Sequence, residues 1–259
     1  MSNAYTSGMP TQGARSQRRR ERVEQEILDQ AVHVLAERGS DSVTLRGLAA
    51  DLGMAASGVH YYFPARDDLL ARLIIATFDS LALDVSAPGD AQGDPVAAFR
   101  SASHRYVAWA NAHADQFGLA HSRIAARLKD RAGVLPAKDR AVRALMAPLL
   151  AALELAPPAP SATQVSPILR RQINAWSAAI GDTTSVVRVR LAALTAYTVI
   201  HGYATLTSAG SLPQEPLEDG GRALLDAHLD GLVAGAGTPP AGTLCTRSAH
   251  TDRQRPQRN

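Results

Sequence analysis

The chain has 259 residues, enough to bury a substantial core in one large or two small domains. Its formal net charge of +3 and pI near 9.3 make it mildly basic, and its single cysteine, Cys245, excludes an internal disulfide and a cysteine-based zinc or iron–sulfur site. No long apolar run occurs and none follows the first arginines, so we expect neither a membrane span nor a secretion signal and predict a cytoplasmic protein.

An arginine cluster marks the start of the first predicted helix, which runs from about Gln17 to Arg38 and is closed by Gly39. We expect residues 1–16 to form a disordered basic arm. The cluster can follow DNA phosphates electrostatically, or it can belong to a solvated tail. The two interpretations are compatible, because such arms often become ordered only on DNA. The arginines are Arg15, Arg18, Arg19, Arg20 and Arg22.

The next stretch, TLRGLAADLGMAASGVHYYF from Thr44 to Phe63, reads as two short helices joined by a tight turn. Apolar residues follow Thr44 at helical spacing, Thr44 stands at an N-cap position, and Gly53 stands where the first helix must end. A second helix then begins, with Val59 and Phe63 facing inward. This spacing is typical of a helix-turn-helix, in which the second helix reads DNA, although a plain helical hairpin has a similar pattern.

The remainder of the chain is also predicted to be helical, with Gly- and Pro-rich breaks. A helix over 67–83 is followed by the loop PGDAQGDP at 88–95, and a linker rich in Pro, Ala and Ser covers 156–167. We predict no strand and therefore an all-α fold. The further helices are expected at 96–113, 116–129, 136–153, 168–179, 186–208 and 216–234, followed by a disordered tail at 237–259.

The order of elements from about Arg20 to Leu73 resembles the N-terminal DNA-binding domain of the tetracycline-repressor (TetR) family. ILDQAVHVLAERGSDSVTLRGLAADLG is similar to the family's opening, and GVHYYFPARDDLL is similar to the end of its recognition helix. The sequence departs from the family at Ala55, which replaces a Ser or Thr cap, at His60, which replaces a Tyr, and at Arg66, which replaces a Lys. The resemblance implies a DNA-binding domain at 17–64, joined through a shared helix to a regulatory domain at 65–236.

The same resemblance implies a DNA-contacting face. Arg46 and Arg66 would mainly hold phosphates, which position a protein on DNA without reading its sequence. The predicted DNA-binding residues are Thr44, Arg46, Ser57, Gly58, His60, Tyr61 and Arg66.

The C-terminal half has a second resemblance, to a TetR subgroup named for a Trp-His-Gly signature, here Tyr197 followed by His201 and Gly202. It implies a domain that dimerises and encloses a small-molecule pocket. An apolar stripe on the last predicted helix also requires a partner surface. The residues predicted to form the dimer interface are Thr195, Thr198, Gly202, Leu206, Leu224, Leu225, His228 and Leu232.

Eight of the twelve Phe, Trp and Tyr residues fall in the predicted regulatory domain at 65–236, which favours an apolar effector pocket there. Since few charges fall among them, we expect an uncharged, apolar effector, with His121, Tyr197 and His201 as polar anchors. A solid core is the alternative, and a lone histidine such as His201 is more often a packing residue than a ligand contact. The predicted pocket residues are Phe78, Tyr106, Trp109, Phe117, His121, Trp176, Tyr197 and His201.

No pattern in the sequence supports catalysis, a cofactor or a metal site. It lacks a Gly-x-Ser-x-Gly elbow, a phosphate-cradling loop with Lys and a His-Glu-x-x-His helix. The acidic pair Asp67 and Asp68 is explained by a helix start. We therefore predict a homodimeric repressor that binds a palindromic operator in double-stranded DNA and is released by a small apolar effector. The alternative is a helical scaffold or small-molecule-binding protein without specific DNA binding; an enzyme is not expected.

Overall fold

The computed structural model describes residues 12–88, 93–155, 166–179, 187–211, 223 and 225–231. Every regular element in this part of the chain is helical, which confirms the predicted all-α fold. The elements are α1 (Gln12–Arg38), a 3-10 turn (Ser40–Ser42), α2 (Leu45–Asp51), α3 (Ala56–Tyr62), α4 (Arg66–Val85), α5 (Pro95–Ala112), α6 (Ala114–Ala120), α7 (Arg123–Leu128), α8 (Val134–Leu155), α9 (Pro167–Ala179) and α10 (Val187–Ser208). Residues 225–231 form a further helical segment.

Helices α1 to α3 form a small N-terminal unit, the head. The backbone N–H of Gly47 donates to Thr44 Oγ1 at 3.1 Å, so Thr44 caps α2 as predicted. Gly53 ends the turn after α2 with φ +63°, a conformation that residues with a side chain rarely adopt. At the start of α3, Ala55 makes no capping hydrogen bond. Val59 and Phe63 point inward and are buried.

Helix α4 joins the head to the larger C-terminal unit, the body. Half of its twenty residues are buried, because it packs on α1 at one end and on α5, α6, α7 and α8 along its length. In the body, α5 and α8 pack on each other and both contact α10, while α9 packs on α10. The body is therefore a helical bundle with α6 and α7 crossing between its long helices and the head.

Two helix boundaries differ from the prediction. Helix α1 begins at Gln12, so residues 12–16 are helical and not part of a disordered arm; hydrogen bonds one turn apart, such as Gln17 to Glu21 at 2.8 Å, stabilise the helix near its start. The helix predicted at 116–129 is two helices, because Ser122 interrupts it and caps α7 by accepting from Ile124 N at 3.1 Å.

Several predictions fall outside the described residues. They concern residues 1–11, most of the linker at 156–167, and the chain after 231, including the tail at 237–259. Within the described helices, none is both long and apolar enough to cross a membrane.

Candidate nucleic-acid interface and effector pocket

The predicted DNA-binding residues on α2 and α3 lie on the surface of the head. Thr44, Arg46, Ser57 and His60 are exposed, and Gly58 is half-buried. Tyr61 is 65% exposed, which is unusual for a large aromatic side chain in a helix of seven residues. This surface thus offers hydroxyl, imidazole, phenol and guanidinium groups to a partner.

Arg66 has a different environment from the one predicted. Its guanidinium is half-buried and donates through Nε to Val43 O at 2.7 Å and through Nη2 to Ser40 O at 2.6 Å. These bonds tie the first residue of α4 to the segment between the 3-10 turn and α2. Arg66 is therefore a structural link inside the head in this conformation, whereas the sequence predicted a phosphate contact.

The arginine cluster continues the surface of α3 onto α1. Arg15, Arg18, Arg19 and Arg22 line one shallow depression on the first turns of α1. Arg20, between them, places its Cζ atom 5.4 Å from the centre of the Tyr61 ring, a cation–π distance. The cluster thus reaches the exposed aromatic ring of α3 through Arg20, and its positive charge suits a polyanion. Sequence reasoning identified the cluster but not its contact with Tyr61.

In the body, seven of the eight predicted pocket residues are connected by ring contacts. His201 is central: its ring centre lies 4.4 Å from His121, 5.6 Å from Phe117 and 5.4 Å from Tyr197, on which it stacks. Its Nδ1 is also 2.9 Å from the hydroxyl of Tyr106. Phe78 packs edge-on against His121, and Trp176 packs against Tyr197.

Trp109 lies elsewhere. It stacks on His113, with ring centres 4.4 Å apart, and donates from Nε1 to Ser80 Oγ at 3.3 Å. No ring contact joins it to the His201 cluster within the described residues, and it lines neither of the two cavities described below. We therefore assign Trp109 to the packing of α5 on α4.

The polar groups of the cluster are held in their neutral forms. Burial, followed by the neighbouring His201 and Lys138, lowers the pKa of His121 to about 3, against a weaker opposing effect of the Phe117 carbonyl. Burial, followed by Lys138, also lowers the pKa of His201. Burial raises the pKa of Tyr197 to about 12 and raises the pKa of Tyr106 well above its usual value. Near pH 7 the cluster therefore carries hydrogen-bonding groups without charge.

A cavity of about 360 Å³ lies beside this cluster, between α4, α6, α7, α8 and α10. Three predicted pocket residues line it, namely Phe78, His121 and His201. Lys129 and Lys138 also line it, and the sequence analysis did not select them. They are the only two lysines of the chain, which is the signal that could have drawn attention to them. This cavity thus has two cations beside the residues predicted for the pocket, among which few charges fall.

A second cavity, of about 460 Å³, lies where the head meets the body. Leu35, Gly39 and Ser40 line it from the head, and α6 and α10 line it from the body. His121 lines both cavities, so this ring separates the body cavity from the junction with α1. Phe117 lines only the junction cavity of the two.

The residues predicted for dimerisation fall into three groups. Thr195, Thr198, Leu206 and His228 are exposed, and Gly202 is half-buried. Leu225 is only 3% exposed because it packs into the protomer's own core. This contradicts its placement at a dimer interface. Its helical segment is tied to α5 by Asp226, which pairs with Arg100 at 2.7 Å and with His104 at 2.9 Å. Leu224 and Leu232 lie outside the described residues.

No group of three or more histidine, cysteine or acidic side chains in the described part of the chain could hold a metal ion. The predicted acidic pair is engaged with arginines instead. Arg127 forms a two-pronged bridge to Asp67, at 2.6 and 3.0 Å, and Arg131 contacts Asp68 at 2.7 Å. The hydrogen bond from Arg127 is the main reason why the pKa of Asp67 is lowered.

Comparison with known proteins agrees with the geometry of the head. Residues 27–73 match the family described as bacterial regulatory proteins, tetR family. The match covers 47 of the 259 residues, so it concerns the head and the first turns of α4. The matched region includes α2, α3 and the start of α4, which carry the exposed face described above.

Relatives and solved structures extend the comparison. The HTH-type transcriptional regulators Rv1816 of Mycobacterium tuberculosis (strain ATCC 25618 / H37Rv) and Mb1846 of Mycobacterium bovis are each 34% identical over 71 residues, 27% of this chain. The match spans only 30% of the length of these relatives. A crystal structure of regulatory protein SCO4313 is similar over 87% of this chain and all of its own, with a TM-score of 0.63 and 19% identity. A structure of a protein of unknown function from Rhodococcus sp. RHA1 is similar over 91% of this chain and all of its own, with a TM-score of 0.53 and 20% identity. These two likenesses concern the fold.

Proposed function

We propose that the protein is a cytoplasmic, homodimeric transcriptional repressor that binds a palindromic operator through α3 and releases it when a small molecule occupies the body. The observation that carries the proposal is the tetR-type head with Tyr61 exposed on α3 beside the arginines of α1. A dimer would place two α3 helices in successive major grooves, roughly 34–36 Å apart. Arg46, Ser57, Gly58, His60 and Tyr61 are the proposed contacts, with Thr44 at the start of α2.

The proposed dimer face is the exposed side of α10. Thr195, Thr198, Gly202 and Leu206 are spaced to share one side of this helix. The hydroxyls of Thr195 and Thr198 already donate to carbonyls one turn back, at 2.9 and 2.8 Å, so their methyl groups remain for packing. Leu206, at 47% exposure, adds apolar surface. We also propose that this body belongs to the Trp-His-Gly subgroup, which the stacking of Tyr197 on His201 supports.

The contacts between body and head support ligand control of DNA binding. The wall of the 360 Å³ cavity includes α7, and Arg127 of α7 holds Asp67 at the start of α4, five residues after Tyr62 ends α3. A ligand that favours one position of α7 would therefore bias the position of the head. The loss of operator affinity cannot exceed the difference in the ligand's affinity for the two states.

DNA binding is tested by selecting fragments of the source genome on the purified protein and sequencing those retained. We expect enrichment of a palindromic sequence. Tyr61→Ala should change the sequence preference. Arg46→Ala should weaken binding to every DNA sequence and reduce the slope of log affinity against log salt concentration by about one unit. Retention without any enriched sequence would favour the alternative, a helical scaffold or small-molecule-binding protein.

Dimerisation is tested separately by light scattering. Leu206→Arg should give monomers with weakened operator binding, and Ile168→Arg, an equally large change at an exposed site on α9, should stay dimeric. A Leu206→Arg protein that is still a dimer would contradict the proposed face. Leu225→Arg is unsuitable, because burying a charge in the core would unfold the protomer.

A further inference from the structure

The 360 Å³ cavity of the body combines an apolar wall with two cations. Phe78, Val134 and several alanines form the wall, and Lys129 and Lys138 stand on either side of the turn between α7 and α8. No carboxylate lines this cavity among the described residues. Both lysine side chains are exposed, so their ammonium groups can reach a molecule that enters from solvent.

The two lysines are electrostatically available. Neither forms a hydrogen bond or salt bridge within the described part of the chain, whereas Arg127 of α7 and Arg140 of α8 each pair with an aspartate. An aspartate follows each lysine in the sequence, and Asp139 interacts with Lys138 electrostatically, but neither aspartate lines the cavity. The positive charge therefore faces the cavity without a countercharge there.

Of the two histidines at the cavity, only His201 can offer a hydrogen-bond donor. His121 Nδ1 lies 2.9 Å from Phe117 O; a carbonyl only accepts, so Nδ1 carries the proton and donates it there, and Nε2 is left as an acceptor. His201 can accept from the Tyr106 hydroxyl at Nδ1, which places its own proton on Nε2 as a donor. An anion can use the His201 donor, and the ammonium groups of the lysines supply the charge that attracts it.

We infer that this cavity binds a small amphipathic organic anion, with its apolar part against Phe78 and Val134 and its carboxylate or sulfonate at Lys129 and Lys138. Its volume lies within the range of small-molecule sites. This site specifies the class of ligand for the proposed function. Only the effect of that ligand on DNA binding rests on the proposed function. The uncharged effector expected from the sequence does not suit it.

The first test compares two fluorescent probes of nearly identical shape, 8-anilinonaphthalene-1-sulfonate and N-phenyl-1-naphthylamine, which lacks the sulfonate. The full chain should bind the anionic probe at least tenfold more tightly, about 1.4 kcal/mol. The double variant Lys129→Gln with Lys138→Gln should lose this preference for the anionic probe. Its affinity for the neutral probe should stay within twofold of the parent's affinity. Raising the salt concentration should weaken only the anionic probe.

A matched control removes two exposed cations from α9 by Arg170→Gln with Arg171→Gln, which changes the net charge equally. This variant should bind both probes as the parent does. Equal affinity of the parent for the two probes would overturn the inference. The inference would also be overturned if the control variant no longer bound the anionic probe, or if the double lysine variant bound it as tightly as the parent does.

The second test uses the lysine content of the chain. The amines that an acetylating reagent can modify are Lys129, Lys138 and the terminal amine of the purified chain. The anionic probe should slow acetylation of both lysines, read by mass spectrometry of peptides, and leave the terminal amine as an internal reference. Equal rates with and without the probe at all three amines would refute the site.

Neither test involves DNA, so the inference and the proposed function can fail independently. If no operator is found, the probe measurements still decide the cavity. If the anionic probe binds through the lysines but leaves operator binding unchanged, the anion site stands and the proposed release by a ligand at this site is refuted.

Discussion

Arg66→Ala separates the structural role of this arginine from the predicted DNA contact. The substitution removes both hydrogen bonds from the guanidinium to Val43 O and Ser40 O. Ser40 O keeps a bond from Val43 N, whereas Val43 O has no other partner recorded in the described residues. Val43 is fully buried, so water replaces the lost donor poorly. Since hydrogen bonds from charged groups contribute about 1.5–3 kcal/mol, we expect the head to lose about 2–3 kcal/mol of stability.

Two measurements detect this loss. Urea denaturation followed by far-ultraviolet circular dichroism reports stability, and hydrogen exchange of residues 40–66 locates the change in the head. Arg66→Lys should recover less than half of the loss, because one ammonium on a longer stem cannot bridge the two carbonyls as the planar fork does.

Arg46→Ala is the matched control, because Arg46 is exposed on α2 of the same head. It should change stability by less than about 0.5 kcal/mol while weakening DNA binding. The reasoning is refuted if Arg66→Ala unfolds at the same urea concentration as the parent and weakens DNA binding as Arg46→Ala does. In that case Arg66 would be the phosphate contact that the family resemblance implies.

Three further predictions follow from the site. The pKa of His121 is lowered from 6.5 to about 3 in the folded protein, so neutral His121 stabilises the fold fully above pH 6.5, and this stabilisation is lost as the pH falls towards 3. Between pH 7 and pH 5, the free energy of unfolding of the parent, measured by urea denaturation, should fall by about 2 kcal/mol more than that of His121→Asn. Asp67→Asn removes the ion pair between α7 and α4 and should weaken any ligand-dependent release of DNA, measured by the fluorescence of a labelled operator. Unchanged release would show that this ion pair does not transmit ligand binding to the head. Gly58→Ala should fold with equal or slightly higher stability, since an added Cβ meets only Met54 Cε at 3.4 Å, yet alter operator affinity in gel-shift assays.

The fold could be predicted from the sequence where local signals are strong. Thr44 and Gly53 fix the ends of α2 by capping and by a positive φ, and apolar spacing identifies the buried side of each helix. The start of α1 was missed because the residues before Gln17 are polar, and no apolar stripe marks a helix stabilised by its own side chains. The break at Ser122 was missed because a capping serine inside an apolar pattern has no distinctive local signal.

The site was predicted less completely, because its key contacts join residues far apart in the chain. The aromatic cluster around His201 could be anticipated from composition, as bulky rings are drawn to the same interior. Leu225 was assigned to a dimer surface because periodicity shows that a face is apolar without showing what covers it. The sequence likewise gave no reason to bring Lys129 and Lys138 to one cavity, since their separation of nine residues spans a turn between two helices.

The position of the lysines connects the chemistry of the cavity with the control of the head. Lys129 directly follows α7, and Arg127 of the same helix holds Asp67 beside the end of α3. An anion that attracts Lys129 towards Lys138 therefore acts on the helix whose other side is fastened to the DNA-binding unit. An apolar ligand could fill the same volume, but it would have no comparable hold on α7. Under the proposed function, charge on the ligand would therefore couple occupancy of this cavity to the position of α3, and removal of that charge should separate binding from control.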